Sequence, residues 1–418
     1  PLIPARLQSL GYRSYHSGKW HIDGNRLEAG FDRSLSVEDH DRYFYPQRLL
    51  VDDKPLSPLE KTTTDYYLTT GIADHAIQCL REHADSYSNQ PFFHFLCFTS
   101  PHFPLQAPAS DVARYASQYS VGWNTIRQAR FERILAGNIV SCDLSNVEPD
   151  VGPPYHFPKA LEALGPDEVN RPLPWQELSA SQQSFQAAKM AVHAAMITRM
   201  DLEIGRVLQQ IRDMKQWDDT LIVFLSDNGA SAEIMVRGDG HRQDAPAGSA
   251  DTFLCLGPGW SNAANTPFRR HKTWVHEGGI STPLIVHWPR TVTDVGQLRS
   301  GAAHVIDLAP TILEAAGGEF SAVDGGPTPP GRSLLERFSS PIAKTDRSIW
   351  WLHEGNRALR QGRWKLVAAK DDPWELYDLV ADRSETTNLA GQMPQRVEEM
   401  AAEWQRLTEA HFTTARQP

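Results

Sequence analysis

Three times in the first 229 residues, a helical spacing of apolar residues leads into a short apolar run, and polar residues capable of chemistry close the unit. Leu2 to Leu10 can form a short helix, and Gly11 is a residue favoured just past a helix end. Tyr12 to Ser17 then reads as a strand, followed by Gly18, Lys19, Trp20 and His21. In the second unit Leu68, Ile72, Ala76 and Leu80 share one helical face, and the apolar run Phe92 to Phe98 predicts a buried strand. Thr99, Ser100, Pro101 and His102 follow it. In the third, Met190, Ile197, Met200, Ile204, Val207 and Ile211 recur at steps of three, four and seven, as on an amphipathic helix. Leu221 to Leu225 is the strand after it, and Ser226, Asp227, Asn228 and Gly229 close the unit. This rhythm predicts an α/β sheet, and open α/β sheets carry their sites beyond the carboxyl ends of strands.

Pro283 to Trp288 reads as a further strand, and Asp307 as the cap of a helix that ends at Gly317 and Gly318. The stretch 320–340 is rich in Gly, Pro and Ser, as a linker is. Beyond it, Ser348 to Leu352, Trp364 to Ala368 and Glu375 to Leu379 are short strands, and a helix is expected from Pro394 to His411. The expected division is therefore 1–340 as one large α/β domain and 341–418 as a small α+β subdomain. The stretch 111–185 has many prolines and weak periodicity, which predicts short helices and surface loops.

Composition narrows the partners. With 40% hydrophobic and 22% charged residues the chain has globular proportions. Its 41 Lys and Arg against 51 Asp and Glu give a net charge of −10, which leaves no basic surface for nucleic-acid phosphates. Every apolar run falls well short of the roughly 18 residues that a membrane span needs. The four cysteines, at 79, 97, 142 and 255, are too scattered for a disulfide scaffold or a paired zinc site, and they do not fix the compartment. The chain starts Pro1-Leu2-Ile3-Pro4 without an initiator Met, so a processed chain or a fragment is expected.

Asp227 and Asn228 offer the carboxylate and amide oxygens that a hard cation such as Ca²⁺ prefers, and Gly229 permits a sharp turn. The same tripeptide also makes an Asx turn. Lys19 and His21 are two apart, so an extended backbone would point both to one side, where they suit an anion. His102 stands between Pro101 and Phe103, and is either a site residue or a hydrogen-bonded histidine near the core. Lys272 ends the basic stretch Arg269-Arg270-His271-Lys272, shortly before the constrained turn Glu277-Gly278-Gly279. A divalent cation with two lysines and two histidines describes a site for a tetrahedral oxyanion. Asp52-Asp53 reads as a hairpin turn rather than a metal-binding pair.

The order of these segments resembles the formylglycine-dependent (type I) sulfatases of the alkaline phosphatase superfamily. The matching segments are Gly11 through Gly18-Lys19-Trp20-His21, Thr99-Ser100-Pro101-His102-Phe103-Pro104, Leu225-Ser226-Asp227-Asn228-Gly229, Lys272 through Glu277-Gly278-Gly279-Ile280-Ser281-Thr282-Pro283, Asp307-Leu308-Ala309-Pro310-Thr311, and Glu375-Leu376-Tyr377-Asp378-Leu379 with Asn388-Leu389. The resemblance implies an α/β fold with a large mixed sheet flanked by helices and a small C-terminal α+β subdomain. It implies hydrolysis of a sulfate ester by a formylglycine made from Cys or Ser, beside a Ca²⁺ ion. Asp227 and Asn228 would be metal ligands, Lys19, His102 and Lys272 would hold sulfate oxygens, His21 would assist the formylglycine hydroxyls, and His102 would also protonate the leaving alcohol. A sulfated small molecule or glycan is the implied substrate, with Trp274 and His276 near the site, and a periplasmic or secreted location is implied as well.

One departure matters. The family's nucleophile lies in a Cys/Ser-x-Pro-x-Arg motif upstream of Gly-Lys-Trp-His, with an Asp-Asp metal pair further upstream, and the 418 residues contain neither in that place. Cys79, Cys97 and Cys142 lack Pro two places on, and Cys255 has it three places on, at Pro258. The expectation is a chain that lacks an N-terminal segment and a central strand, inactive and poorly stable alone. Two alternatives are a phosphonate monoester hydrolase or phosphodiesterase of the same superfamily, and a non-catalytic sulfate-binding relative.

Overall fold

A computed structural model describes residues 2–61, 65–322, 329–339 and 347–415. Its helices are α1 (Ile3–Gln8), α2 (Leu68–Ser86), α3 (Ala109–Ala113), α4 (Trp123–Ala136), α5 (Pro158–Leu164), α6 (Ala180–Asp213), α7 (Gly257–Ala264), α8 (Glu277–Ile280), α9 (Leu308–Ala315), α10 (Leu335–Ser339) and α11 (Pro394–Ala415). The strands are β1 (Arg13–Lys19), β2 (Arg33–Val37), β3 (Leu49–Val51), β4 (Lys54–Pro55), β5 (Phe92–Cys97), β6 (Ile222–Leu225), β7 (Leu284–His287), β8 (Ser348–His353), β9 (Asn356–Gln361), β10 (Trp364–Ala368) and β11 (Glu375–Asp378).

The local signals act as read. Gly11, at φ +84°, takes the left-handed conformation after α1. Ser179 and Gln182 form a reciprocal capping box that starts α6. Leu68, Ile72, Ala76 and Leu80 are all buried on the face of α2, which packs on β1 and α6. A five-stranded sheet runs β4-β3-β2-β1-β5, parallel at β2-β1-β5 and antiparallel through β3 and β4. Asp52 and Asp53 join β3 to β4 at φ +49° and +60°, the backbone of a tight hairpin turn, and the carboxylate of Asp52 binds Arg33. The last strand of that edge, β4, consists of Lys54 and Pro55 alone.

One expectation fails at the other edge. The run Phe92 to Phe98 predicts a buried strand, yet Phe95 is 45% exposed, and Phe224 on β6 is 39% exposed. The strands β5 and β6 pack through Phe92, Leu96 and Ile222 onto the same α2–α6 layer. Among the described residues no ladder joins them, because β5 pairs with β1 alone and β6 with β7 alone. The face of β5 that carries Phe95, opposite Phe92 and Leu96, is open to solvent, and Ile285 on β7 is 59% exposed. Ile197, in the apolar stripe of α6, is exposed as well.

The segment 111–185 forms short helices, but it is more than surface. Trp123 and Trp175 pack edge-to-face with each other at 4.9 Å and on the fully buried Trp260 at 5.7 and 5.9 Å. Isolated aromatics of this kind leave no periodic trace. The carboxylate of Asp307 does not cap α9; it accepts from the His304 and Arg332 backbone N–H groups and pairs with Arg347. At the C-terminus, β8 to β11 form an antiparallel meander, with α11 packed on it through Met400, Trp404 and Leu407. Strand β9 was missed in the sequence, although Gly355 and Gly362, both at positive φ, mark its two turns. Residues 323–328 of the expected linker and the 340/341 domain boundary lie outside the described residues.

Candidate active site

The site is assembled at the carboxyl ends of β1, β5 and β6. At Gly18, φ is +123° and a Cβ would stand 1.9 Å from the Cys97 carbonyl oxygen, so only glycine lets β1 lie this close to β5 there. Lys19 follows directly. Burial, then the neighbouring Lys272, hold its ammonium below the usual lysine range, while Asp227 works in the opposite direction. The strand stops at Lys19, and Trp20 turns onto His16 and Phe31, ring to ring at 5.3 and 5.9 Å. The alternation expected to align Lys19 with His21 therefore ends one residue short. His21 is exposed, with its ring 6.1 Å from that of His40.

His102 is fixed in one tautomer. Its Nδ1 donates to the Phe103 carbonyl at 2.8 Å, so Nε2 is the acceptor facing Lys272 Nζ at 3.2 Å. Burial first, and Lys272 second, push the imidazole down to about 3. Lys272 also lies 3.6 Å from the buried carboxylate of Glu233, which accepts from the Ser231 hydroxyl at 2.6 Å. The Phe103 ring presents its face to both Lys272 and the Arg237 guanidinium, at 5.9 and 5.5 Å.

Asp227 and Asn228 form the tip beyond β6, and Asn228 Nδ2 donates to Asp227 Oδ1 at 2.9 Å. A carboxylate and an amide oxygen are hard donors suited to Ca²⁺, but such an ion takes six to eight oxygens. Among the described residues no group of three or more His, Cys, Asp or Glu could hold a metal. The donor set fits part of a calcium shell and not a whole one. Cys97, at the end of β5, is no nucleophile, since burial and then the Asp227 charge push its thiol up to about 12.

The loop is held from behind. Thr282 Oγ1 donates to the Ser226 carbonyl at 2.7 Å, and the Gly229 N–H donates to the Gly279 carbonyl at 2.9 Å. A Cβ on Gly229 would lie 1.8 Å from the Gly278 oxygen. The Asn265 side chain bonds both the N–H and the C=O of Ala230, at 2.7 and 3.1 Å. The Lys272 N–H donates to that same carbonyl at 3.1 Å.

The fold thus brings Lys19, His102, Lys272, Asp227 and Asn228 into one neighbourhood, with His21 at its exposed rim. Trp274 stacks edge-on to His271 at 5.8 Å. His276, expected near the substrate, is instead buried, with Nε2 3.0 Å from the Glu375 carboxylate. Sequence reasoning missed His40, Glu233, Arg237 and Asn265. Burial, then Lys19 and His21, push His40 down to about 4, and Arg237 pairs with Asp41 at 3.2 Å. The available signal was Glu38-Asp39-His40-Asp41 after β2, another strand closed by polar residues.

Comparison with known proteins gives the family. The family model described as Sulfatase matches residues 1–318. An uncharacterized sulfatase of Schizosaccharomyces pombe is 30% identical over 444 residues, covering 96% of this chain and 75% of the relative. The arylsulfatase of Klebsiella aerogenes is 28% identical over 338 residues, covering 75% of this chain and 67% of that one. A structure solved in complex with its substrate D-glucosamine-2-N,6-O-disulfate superposes with a TM-score of 0.62 at 19% identity, over 97% of this chain and 81% of its own.

Proposed function

The chain belongs to the sulfatase family of the alkaline phosphatase superfamily, and from that premise we propose that it forms the anion- and metal-binding body of a sulfuric ester hydrolase. One observation carries the reading: Lys272 Nζ stands 3.2 Å from His102 Nε2, within electrostatic reach of Lys19, which in turn feels Asp227. In this proposal Lys19 and Lys272 hold sulfate oxygens, and the fixed tautomer of His102 keeps Nε2 turned to the same place. Breaking the S–O bond leaves an alcohol oxygen that must gain a proton. Because Nδ1 is committed to Phe103, Nε2 is the atom of His102 that would take up a proton and pass it to the alcohol oxygen, while Lys272 keeps its charge for the sulfate. An arriving sulfate ester adds negative charge beside His102 and raises its affinity for that proton.

Asp227 and Asn228 would be two ligands of a Ca²⁺ ion, which when bound would neutralise charge on the sulfate oxygens. The formylglycine nucleophile and the remaining ligands would come from polypeptide outside these 418 residues, and His21 at the rim would assist that nucleophile. The open edges of β5 and β6 support this arrangement, since a strand lying between them would end beside Cys97 and Asp227. The substrate class we propose is a sulfated glycan or a small aryl sulfate, met in the periplasm or outside the cell.

The test compares turnover of an aryl sulfate and an aryl phosphodiester by the native polypeptide and by the 418 residues alone. The expected result is calcium-dependent sulfate release by the native polypeptide, abolished by Asp227→Ala, and none by the 418 residues. Turnover by those residues alone would overturn the shared site, and faster phosphodiester hydrolysis would overturn the choice of ester.

A further inference from the structure

The loop that carries Asp227 and Asn228 is gripped at both ends by the segment 279–282, through Thr282 to the Ser226 carbonyl and through the Gly279 carbonyl to the Gly229 N–H. What holds that segment lies on β10 and in the loop that follows β11. Glu277, the first residue of α8, sends one carboxylate oxygen to Lys365 Nζ at 2.7 Å and the other to the Arg383 guanidinium. Lys365, on β10, also lies 2.7 Å from Glu385, whose second oxygen accepts the Glu277 N–H at 2.8 Å. The side chains of Lys365 and Glu385 are 0% exposed and that of Glu277 is 4% exposed. Arg383 additionally donates to the Ser281 hydroxyl at 2.7 Å.

We infer that Lys365 and Glu385 are positioning residues for the Asp227-Asn228 loop, so that the C-terminal sheet sets the geometry of the metal-binding tip without touching it. Two carboxylates and two cations, drawn from opposite sides of the contact, leave no net charge and fix α8 in one orientation. A buried charge that loses its partner is not tolerated in place, so α8 must move when one member is removed. The Gly229 backbone has no slack to absorb that movement, because the Gly278 oxygen occupies the space of a Cβ.

The inference rests on the reading of Asp227 and Asn228 as metal ligands, but hydrogen exchange reports the loop whether or not a metal binds. The two therefore fail separately. Exchange at the amides of Gly229 and Lys272 is compared in the native polypeptide and its Lys365→Met variant. The expected result is acceleration of at least tenfold at both amides, with no change in α2 and α6, and terbium, used as a calcium probe, binding about tenfold or more weakly. Should Lys365→Met not fold, Glu385→Gln is read in its place, with a smaller acceleration at the same two amides. Faster exchange confined to 364–366 and 383–386, with Gly229 and terbium affinity unchanged, would overturn the inference and leave the cluster a local brace.

Discussion

On one flank of the Asp227-Asn228 loop, a single helical turn is pinned by Lys365, Glu385 and Arg383, and its backbone grips the loop directly. On the other flank, β5 and β6 rest on the same helices, each paired on one edge alone among the described residues, with Phe95 and Phe224 open to solvent. The closed flank is complete within this chain and relies on charges that only work while buried together. The open flank relies on apolar surface and backbone groups that a further strand could use. The same few residues beyond β6 are thus rigid towards one neighbour and unfinished towards the other.

The largest effect should come from breaking the closed flank. Lys365→Met removes the cation paired with Glu385 and leaves Glu277 with Arg383 alone, and is expected to cost about 3–5 kcal/mol in urea unfolding. A loss below about 1 kcal/mol would mean that the cluster is wetter than its burial implies. Gly229→Ala forces a methyl against the Gly278 carbonyl and should cost about 1–3 kcal/mol, while weakening terbium binding. Unchanged binding would show that the tip does not depend on its backing.

Lowering the pH tests both flanks together. Burial is the leading cause that pushes His94 on β5 and His271 beside α8 down to about 3, and His16, His75 and His193 to about 4. The unfolded chain takes up these protons near the ordinary 6.5, which the folded chain refuses. Their contribution to stability is therefore full above about 6.5 and is lost as pH falls from there towards 3 to 4. Urea midpoints measured from pH 8 to 4.5 should decline steadily. His271→Phe should flatten that decline more than His94→Phe, and the reverse order would place the tighter packing on the open flank. The smallest effect is expected from Phe95→Lys, within about 0.5 kcal/mol on the 418 residues. If a strand normally covers that edge, the same change in the native polypeptide should cost far more, and equal small losses in both would mean that the edge is never covered.

Much of this was legible in the sequence because it is local. Apolar spacing announced α2 and α6, glycines announced the turns, and Asp52-Asp53 announced its hairpin. The polar ends of β1, β5 and β6 were visible as candidates one at a time, and the family resemblance joined them. What escaped was whatever depends on distant partners. Nothing near Phe92 to Phe98 says that one side of the strand is bare, and nothing near Lys365 says that its ammonium lies against Glu277, 88 positions away. Nothing near His276 says that Glu375, 99 positions away, lies against its ring, and Arg237 stands in a stretch with no periodicity.

The far edge of the five-stranded sheet shows how this chain ends a sheet that meets water. There β4 has two residues, a lysine that keeps its charge in solvent and a proline with no N–H to offer. At the opposite edge β5 has six residues, three of them phenylalanine, and neither proline nor lysine. An unguarded strand of that composition is a template for another copy of itself. Preparations of these 418 residues should therefore scatter more light as concentration rises, and a peptide able to pair along β5 should suppress that self-association before it restores any chemistry.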